Sequence, residues 1–128
     1  MSDKLTRPVA PRTVRTVAGT TVVMPYGEID LVTATPLMSL LDSLTCDPGP
    51  DLVVDLTEVT FIDCAGLAAL CRARNRVLAR HGRLRLVNGD GDFLRLLRAA
   101  GLGGAFEIHP VFDIHPELSG VLPGSTAI

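Results

Sequence analysis

Apolar positions along this chain follow two spacings. Residues 13–17 and 20–26 are rich in Val and Thr, as suits a half-buried pleated strand, and Ala18-Gly19 between them predicts a hairpin turn. Leu37, Leu40, Leu41 and Leu44 then recur at helical spacing. Thr33 and Thr35 are candidate caps for that helix, Pro36 is expected in its first turn, and Asp47-Pro48-Gly49-Pro50 ends it. Leu52-Val53-Val54-Asp55-Leu56 is a short apolar run between turn signals, as expected of a strand covered on both faces. A second helix starts after the cap candidate Asp63, is expected to bury Leu67, Leu70, Cys71 and Leu78, and stops near His81-Gly82. Residues 83–88 predict another strand. Asp90 or Asp92 can cap a third helix carrying Phe93, Leu96, Leu97 and Ala100, closed by Gly101. A last strand is expected within residues 105–108, and residues 110–117 suggest a turn or short helix.

The alternation of strands with helices implies crossover connections. We expect an α/β domain with a small mixed β-sheet: parallel inner strands, an antiparallel edge hairpin and flanking helices. The domain is expected over residues 12–117, with flexible tails at 1–11 and 118–128.

Composition narrows the function classes. The 128 residues suit one domain, and 47% hydrophobic residues supply a core. With four Phe, one Tyr and no Trp, no row of rings is available to stack nucleic-acid bases. A net charge of −2 lacks the basic excess of a phosphate-backbone binder. No apolar run reaches the roughly 18 residues that suggest a membrane helix, and the start resembles no secretion signal. Three cysteines, Cys46, Cys64 and Cys71, form no C-x-x-C pair, which suits reduced thiols in a cytoplasm. With His81, His109 and His115 they make no familiar zinc spacing, so no metal and no cofactor is expected.

The small net charge conceals a segregation. Residues 27–63 hold eight acids and no Lys or Arg, whereas residues 72–98 hold eight arginines against Asp90 and Asp92. Either these are solvated faces of different elements, or the acidic stretch meets a basic partner.

In an α/β sheet, loops that lead from strand carboxyl ends into helices usually carry function. The passage from Asp55 to Leu67 is of that kind. Asp63 caps the helix, and Cys64, Ala65 and Gly66 fill its first turn, where free N–H groups favour an anion and small residues admit a close neighbour.

Asp55-Leu56-Thr57, followed by Phe61-Ile62-Asp63-Cys64-Ala65-Gly66-Leu67, resembles the signature of the STAS domain of bacterial anti-sigma-factor antagonists, D-L-S-x-V-x-F-[IM]-D-S-S-G-L. Gly27-Glu28-Ile29-Asp30 with Thr33-Ala34 resembles that family's G-E-[IL]-D element. Leu84-Arg85-Leu86-Val87-Asn88 and the later Gly101-Leu102 resemble its L-x-L-V-N and G-L. The resemblance covers residues 12–110. It implies a non-enzymatic cytoplasmic protein that binds an anti-sigma factor, itself an ATP-dependent serine kinase of the histidine-kinase-like ATPase class, and so frees a sigma factor for transcription. The partner surface it implies comprises Asp30, Thr33, Asp63, Cys64, Ala65, Gly66 and Leu67. Neither nucleic acid nor membrane is an expected partner.

At the family's phosphorylated serine this chain has Cys64, and Ala65 replaces the next serine. Three readings follow: an antagonist or scaffold module that is permanently able to bind, a nearby phosphoacceptor in Thr57 or Thr60, or a redox-sensitive Cys64. Rival chemistries are weaker. A Cys64 nucleophile needs a histidine base, and all three histidines come late in the chain with no local motif. A phosphoacceptor receiver needs a late lysine, but the only lysine is Lys4. Asn88-Gly89-Asp90-Gly91 reads as a turn with a helix cap rather than a nucleotide loop.

Overall fold

The computed structural model describes residues 12–87 and 91–109. In chain order the elements are β1 (Arg12–Val17), β2 (Thr20–Pro25), β3 (Gly27–Ile29), α1 (Leu31–Leu44), β4 (Asp51–Asp55), β5 (Val59–Ile62), α2 (Cys64–Ala79), β6 (Arg83–Val87), α3 (Gly91–Ala99) and β7 (Glu107–His109). The main sheet has the order β1-β2-β4-β6-β7, with β1 and β2 antiparallel and every other pair parallel. Val17 lies opposite Thr20, so Ala18 and Gly19 form a two-residue turn. Both have positive φ, at 51° and 85°, the handedness that matches strand twist in tight hairpins.

Strand β4 occupies the centre because its run Leu52-Val53-Val54 can be buried on both faces. Leu52 and Val54 join Leu37 and Leu41 of α1, Leu70 and Val77 of α2, and Phe93 and Leu97 of α3 in the main core, while Val53 packs with Val22 and Val87 on the opposite face.

Several expectations are corrected. The sequence pattern missed β3 and β5, which pair in parallel as a separate two-stranded sheet; three- and four-residue strands are too short to show a period. Helix α1 is capped by Asp30 rather than Thr33 or Thr35, and Pro36 lies in its second turn, where Val32 loses the N–H that would have bonded its carbonyl. In α2, Leu78 is 53% exposed and Cys71 half-buried, because the inward stripe runs through Gly66, Leu67, Ala69, Leu70, Ala73 and Val77. In α3, Leu96 is half-buried and Ala100, just beyond the helix, is exposed. Asp92 lies inside that helix rather than at its cap. The expectations for Asn88, Asp90, residues 110–117 and both tails lie outside the described residues.

Part of the charge segregation resolves into internal pairing, through Asp42 and Asp51. Asp42 receives Arg72 in a two-pronged bond, Nε to Oδ1 at 2.9 Å and Nη2 to Oδ2 at 3.0 Å, and Arg76 approaches it at 3.3 Å. Arg76 also donates to Oγ1 of Thr45 at 2.9 Å, and that hydroxyl donates to the Leu41 carbonyl at 2.8 Å. Thr45 is fully buried, so its hydroxyl ties α1 to α2 away from solvent, while the Arg72–Asp42 pair stays partly exposed. Asp51 likewise meets Arg85 of the neighbouring strand at 2.7 Å.

Helix α2 ends in a Schellman turn: the N–H of His81 donates to the Leu78 carbonyl at 3.2 Å and that of Gly82 to the Val77 carbonyl at 2.9 Å. The residue that takes the left-handed backbone is His81, with φ of 60°, a position that favours glycine. His81→Gly is therefore expected to raise the unfolding free energy by about 0.5–1 kcal/mol. Denaturant titration checks this, and a loss of stability would contradict the strain.

Candidate functional site

The small sheet sets the site. The Gly27 N–H donates to the Glu58 carbonyl at 3.1 Å and the Asp63 N–H to the Ile29 carbonyl at 3.2 Å. Ile29 is in register with Ile62, so the residues that follow them, Asp30 and Asp63, lie side by side. Each caps a helix. Asp30 Oδ1 accepts the N–H groups of Val32 at 3.0 Å and Thr33 at 3.1 Å, and Thr33 Oγ1 accepts the Asp30 N–H at 2.9 Å, closing a capping box. Asp63 Oδ1 accepts the N–H groups of Ala65 at 2.9 Å and Gly66 at 3.1 Å. Two helix N-termini, with their positive dipole ends, thus open on one edge of the molecule.

The Thr33 N–H bond, with smaller help from Val32, holds the Asp30 carboxyl below its usual range against a modest desolvation. A depressed carboxyl contributes stability above its unfolded value, near pH 3.9, and that contribution is lost as pH falls through the folded value. Thermal unfolding followed from pH 6 to pH 2 is expected to show a shallower acid decline in Asp30→Asn than in the wild type, since Asn caps equally well without titrating. Parallel curves would remove Asp30 from the acid response.

Most residues expected at the partner surface gather here. Cys64 is exposed as the first residue of α2, while Thr33, Asp63 and Ala65 are half-buried. Gly66 and Leu67 are corrected. Leu67 is 4% exposed and belongs to the core. At Gly66 an added Cβ would lie 2.6 Å from Ile62 Cγ1, 2.8 Å from Ile29 Cγ2 and 3.0 Å from the Ile29 carbonyl. α2 pressing on the small sheet is thus enough to require the glycine. Thr57 and Thr60 are both exposed. The β3–β5 register passes from Gly27 opposite Val59 to Glu28 opposite Phe61, leaving Thr60 as the extra residue of a bulge.

Sequence reasoning overlooked the apolar part of this edge. Leu31 is 76% exposed, Val32 53% and Phe61 53%. Leu31 and Val32 follow the cap directly and fall outside the Leu37–Leu41 stripe, and that offset was the available signal. Large exposed apolar residues around paired caps suit a protein-binding surface. Among the described residues no group of His, Cys, Asp and Glu is placed to hold a metal ion, and no helix is long and apolar enough to cross a membrane.

The STAS domain family matches residues 11–115. The chain is 30% identical over 95 residues to the anti-sigma-F factor antagonist RsfA of Mycobacterium tuberculosis, covering 72% of this chain and 73% of that protein. It is 33% identical over 94 residues to the anti-sigma-B factor antagonist of Listeria monocytogenes, covering 73% and 80%. The crystal structure of an anti-sigma factor antagonist from Mycobacterium paratuberculosis superposes with a TM-score of 0.72 at 29% identity, over 84% of this chain and 92% of that one. This chain belongs to the STAS domain family.

Proposed function

We propose that this protein is an anti-sigma-factor antagonist: it binds an anti-sigma factor and thereby frees a sigma factor for transcription. It works by binding rather than catalysis. The observation that carries this reading is the juxtaposition of Asp30 and Asp63 as caps of two helices opening on one edge, in a chain whose relatives are named anti-sigma-factor antagonists. The partner we infer is an anti-sigma factor with a serine-kinase fold of the histidine-kinase-like ATPase class. It meets Asp30, Thr33, Asp63, Cys64 and Ala65, with Leu31, Val32 and Phe61 as apolar anchors.

Cys64 stands where the family resemblance places a phosphorylated serine. A phosphate there would put a dianion beside Asp63 and repel a docked partner; a thiol offers no hydroxyl to accept it. The antagonist is therefore held in its binding-competent form.

The test is affinity capture from the source cell, identification of the bound anti-sigma factor, and incubation of the purified pair with ATP. The wild type is expected to take up no phosphate, whereas Cys64→Ser becomes a substrate and loses at least ten-fold in affinity once modified. Efficient phosphorylation of Cys64→Ala would move the acceptor to Thr57 or Thr60. Capture of no anti-sigma factor would overturn the reading.

A further inference from the structure

Next to the paired caps lies an open apolar groove, of which the proposed function uses Phe61 alone. It runs between β5 and α3, is lined by Leu56, Val59, Phe61, Ile62, Phe93 and Leu96, and encloses about 240 Å³, with Thr60 and Asp92 as its polar members. That volume falls below the roughly 300–1,000 Å³ of small-molecule sites, and suits one or two apolar side chains of a protein.

Among the described residues its surroundings are mainly acidic. Glu58 precedes Val59 in the chain, Glu28 is in register with Phe61, and Asp63 follows Ile62. Glu28 and Glu58 are exposed. No Lys or Arg occurs between Arg15 and Arg72, and Arg95, beside Leu96, is paired with Asp92. An apolar slot with a carboxylate rim complements an amphipathic helix that carries aliphatic anchors on one face and Arg or Lys beside them.

Resting on the antagonist reading, we propose that the β5–α3 groove is a second docking subsite, which takes the aliphatic anchors of a basic amphipathic helix of the anti-sigma partner. Phe61 lines the groove and is itself 53% exposed, two residues before the Asp63 cap. The subsite would add affinity and select basic partners, while the caps supply the part of the surface that a phosphate could switch.

The experiment titrates two fluorescein-labelled 16-residue peptides into the full chain. Both carry leucines at i, i+3, i+4 and i+7; the remaining positions are rich in arginine in one and in glutamate in the other. The arginine peptide is expected to bind saturably, to shift the NMR signals of Val59, Ile62 and Leu96, and to bind at least ten-fold more tightly than the glutamate peptide. Thr60→Arg, a change at an exposed bulge residue, is expected to remove that preference with the fold intact by circular dichroism. Equal affinities, no saturable binding, or shifts confined to other elements would overturn the proposal. With the captured anti-sigma factor as ligand, Thr60→Arg is expected to weaken binding about ten-fold. Loss of affinity in Asp63→Arg with none in Thr60→Arg would overturn the groove and leave the antagonist reading standing. Unchanged affinity in both would overturn the groove and place the partner away from the caps as well, whereas the antagonist reading fails only if no anti-sigma factor is captured.

Discussion

Gly82→Ala is expected to lower the unfolding free energy by about 3 kcal/mol or more, at the upper end of overpacking penalties. A Cβ on Gly82 would lie 2.1 Å from the Pro50 carbonyl oxygen and 2.6 Å from its Cδ. Neither atom belongs to a flexible side chain that could turn away. The two segments are also tied on both sides of the contact: Gly49 N–H donates to the Arg80 carbonyl at 2.8 Å, and Arg83 N–H to the Pro50 carbonyl at 2.8 Å. Relief therefore requires moving the entry to β4 away from the entry to β6, although these strands pair from Asp51–Arg83 onward. For a domain of this size the loss corresponds to a fall in Tm of roughly 10 °C. A stability within about 1 kcal/mol of the wild type, by denaturant titration with an unchanged slope, would refute the close contact. The same change at Gly66 meets mainly the Ile62 and Ile29 side chains and gains about 1 kcal/mol of helix propensity, so its penalty is smaller.

Asp63→Arg carries the largest expected effect on binding. It deletes the two N–H bonds that cap α2, at a cost of about 1 kcal/mol in stability, and places a long cation between Cys64 and the neighbouring Asp30 cap. We expect the affinity for the anti-sigma factor to fall at least 100-fold, about 2.8 kcal/mol. Asp63→Asn separates the two effects. It retains an acceptor of equal capping strength, so its stability stays within about 0.5 kcal/mol of the wild type, while any loss of affinity in it reports the charge itself. Isothermal titration of the three proteins reads this directly. An unchanged affinity in Asp63→Arg would show that the partner binds elsewhere.

Much of the site was legible because its residues are local to one another. Asp63 before a helix-spaced run, the G-E-I-D segment and the cysteine in place of a serine are statements about neighbouring positions, and local backbone chemistry acts at that range. Asp30 was singled out in the sequence, yet its capping role was assigned to Thr33 and Thr35. The signal was present in the Asp30–Thr33 spacing, but Pro36 suggested a later start. Gly66 shows the opposite case. Its smallness was noticed and attributed to a partner, because two of the three atoms nearest an added Cβ belong to Ile29, 37 positions away, and only the nearest, Ile62 Cγ1, is local.

The sequence by itself determined the α/β class, the hairpin, the order of the main elements and the Asp63 cap, since each follows from hydrophobic period, turn residues or a side chain bonding its own neighbours. Tertiary structure alone decided the rest: that β3 and β5 pair and bring two caps to one edge, that Asp42 and Asp51 of the acidic stretch meet arginines of the basic one, that Leu67 turns inward while Leu31, Val32 and Phe61 turn outward, and that Gly82 must lack a side chain. These outcomes depend on contacts between distant segments, and periodicity along a chain carries no record of which segment lies across the gap.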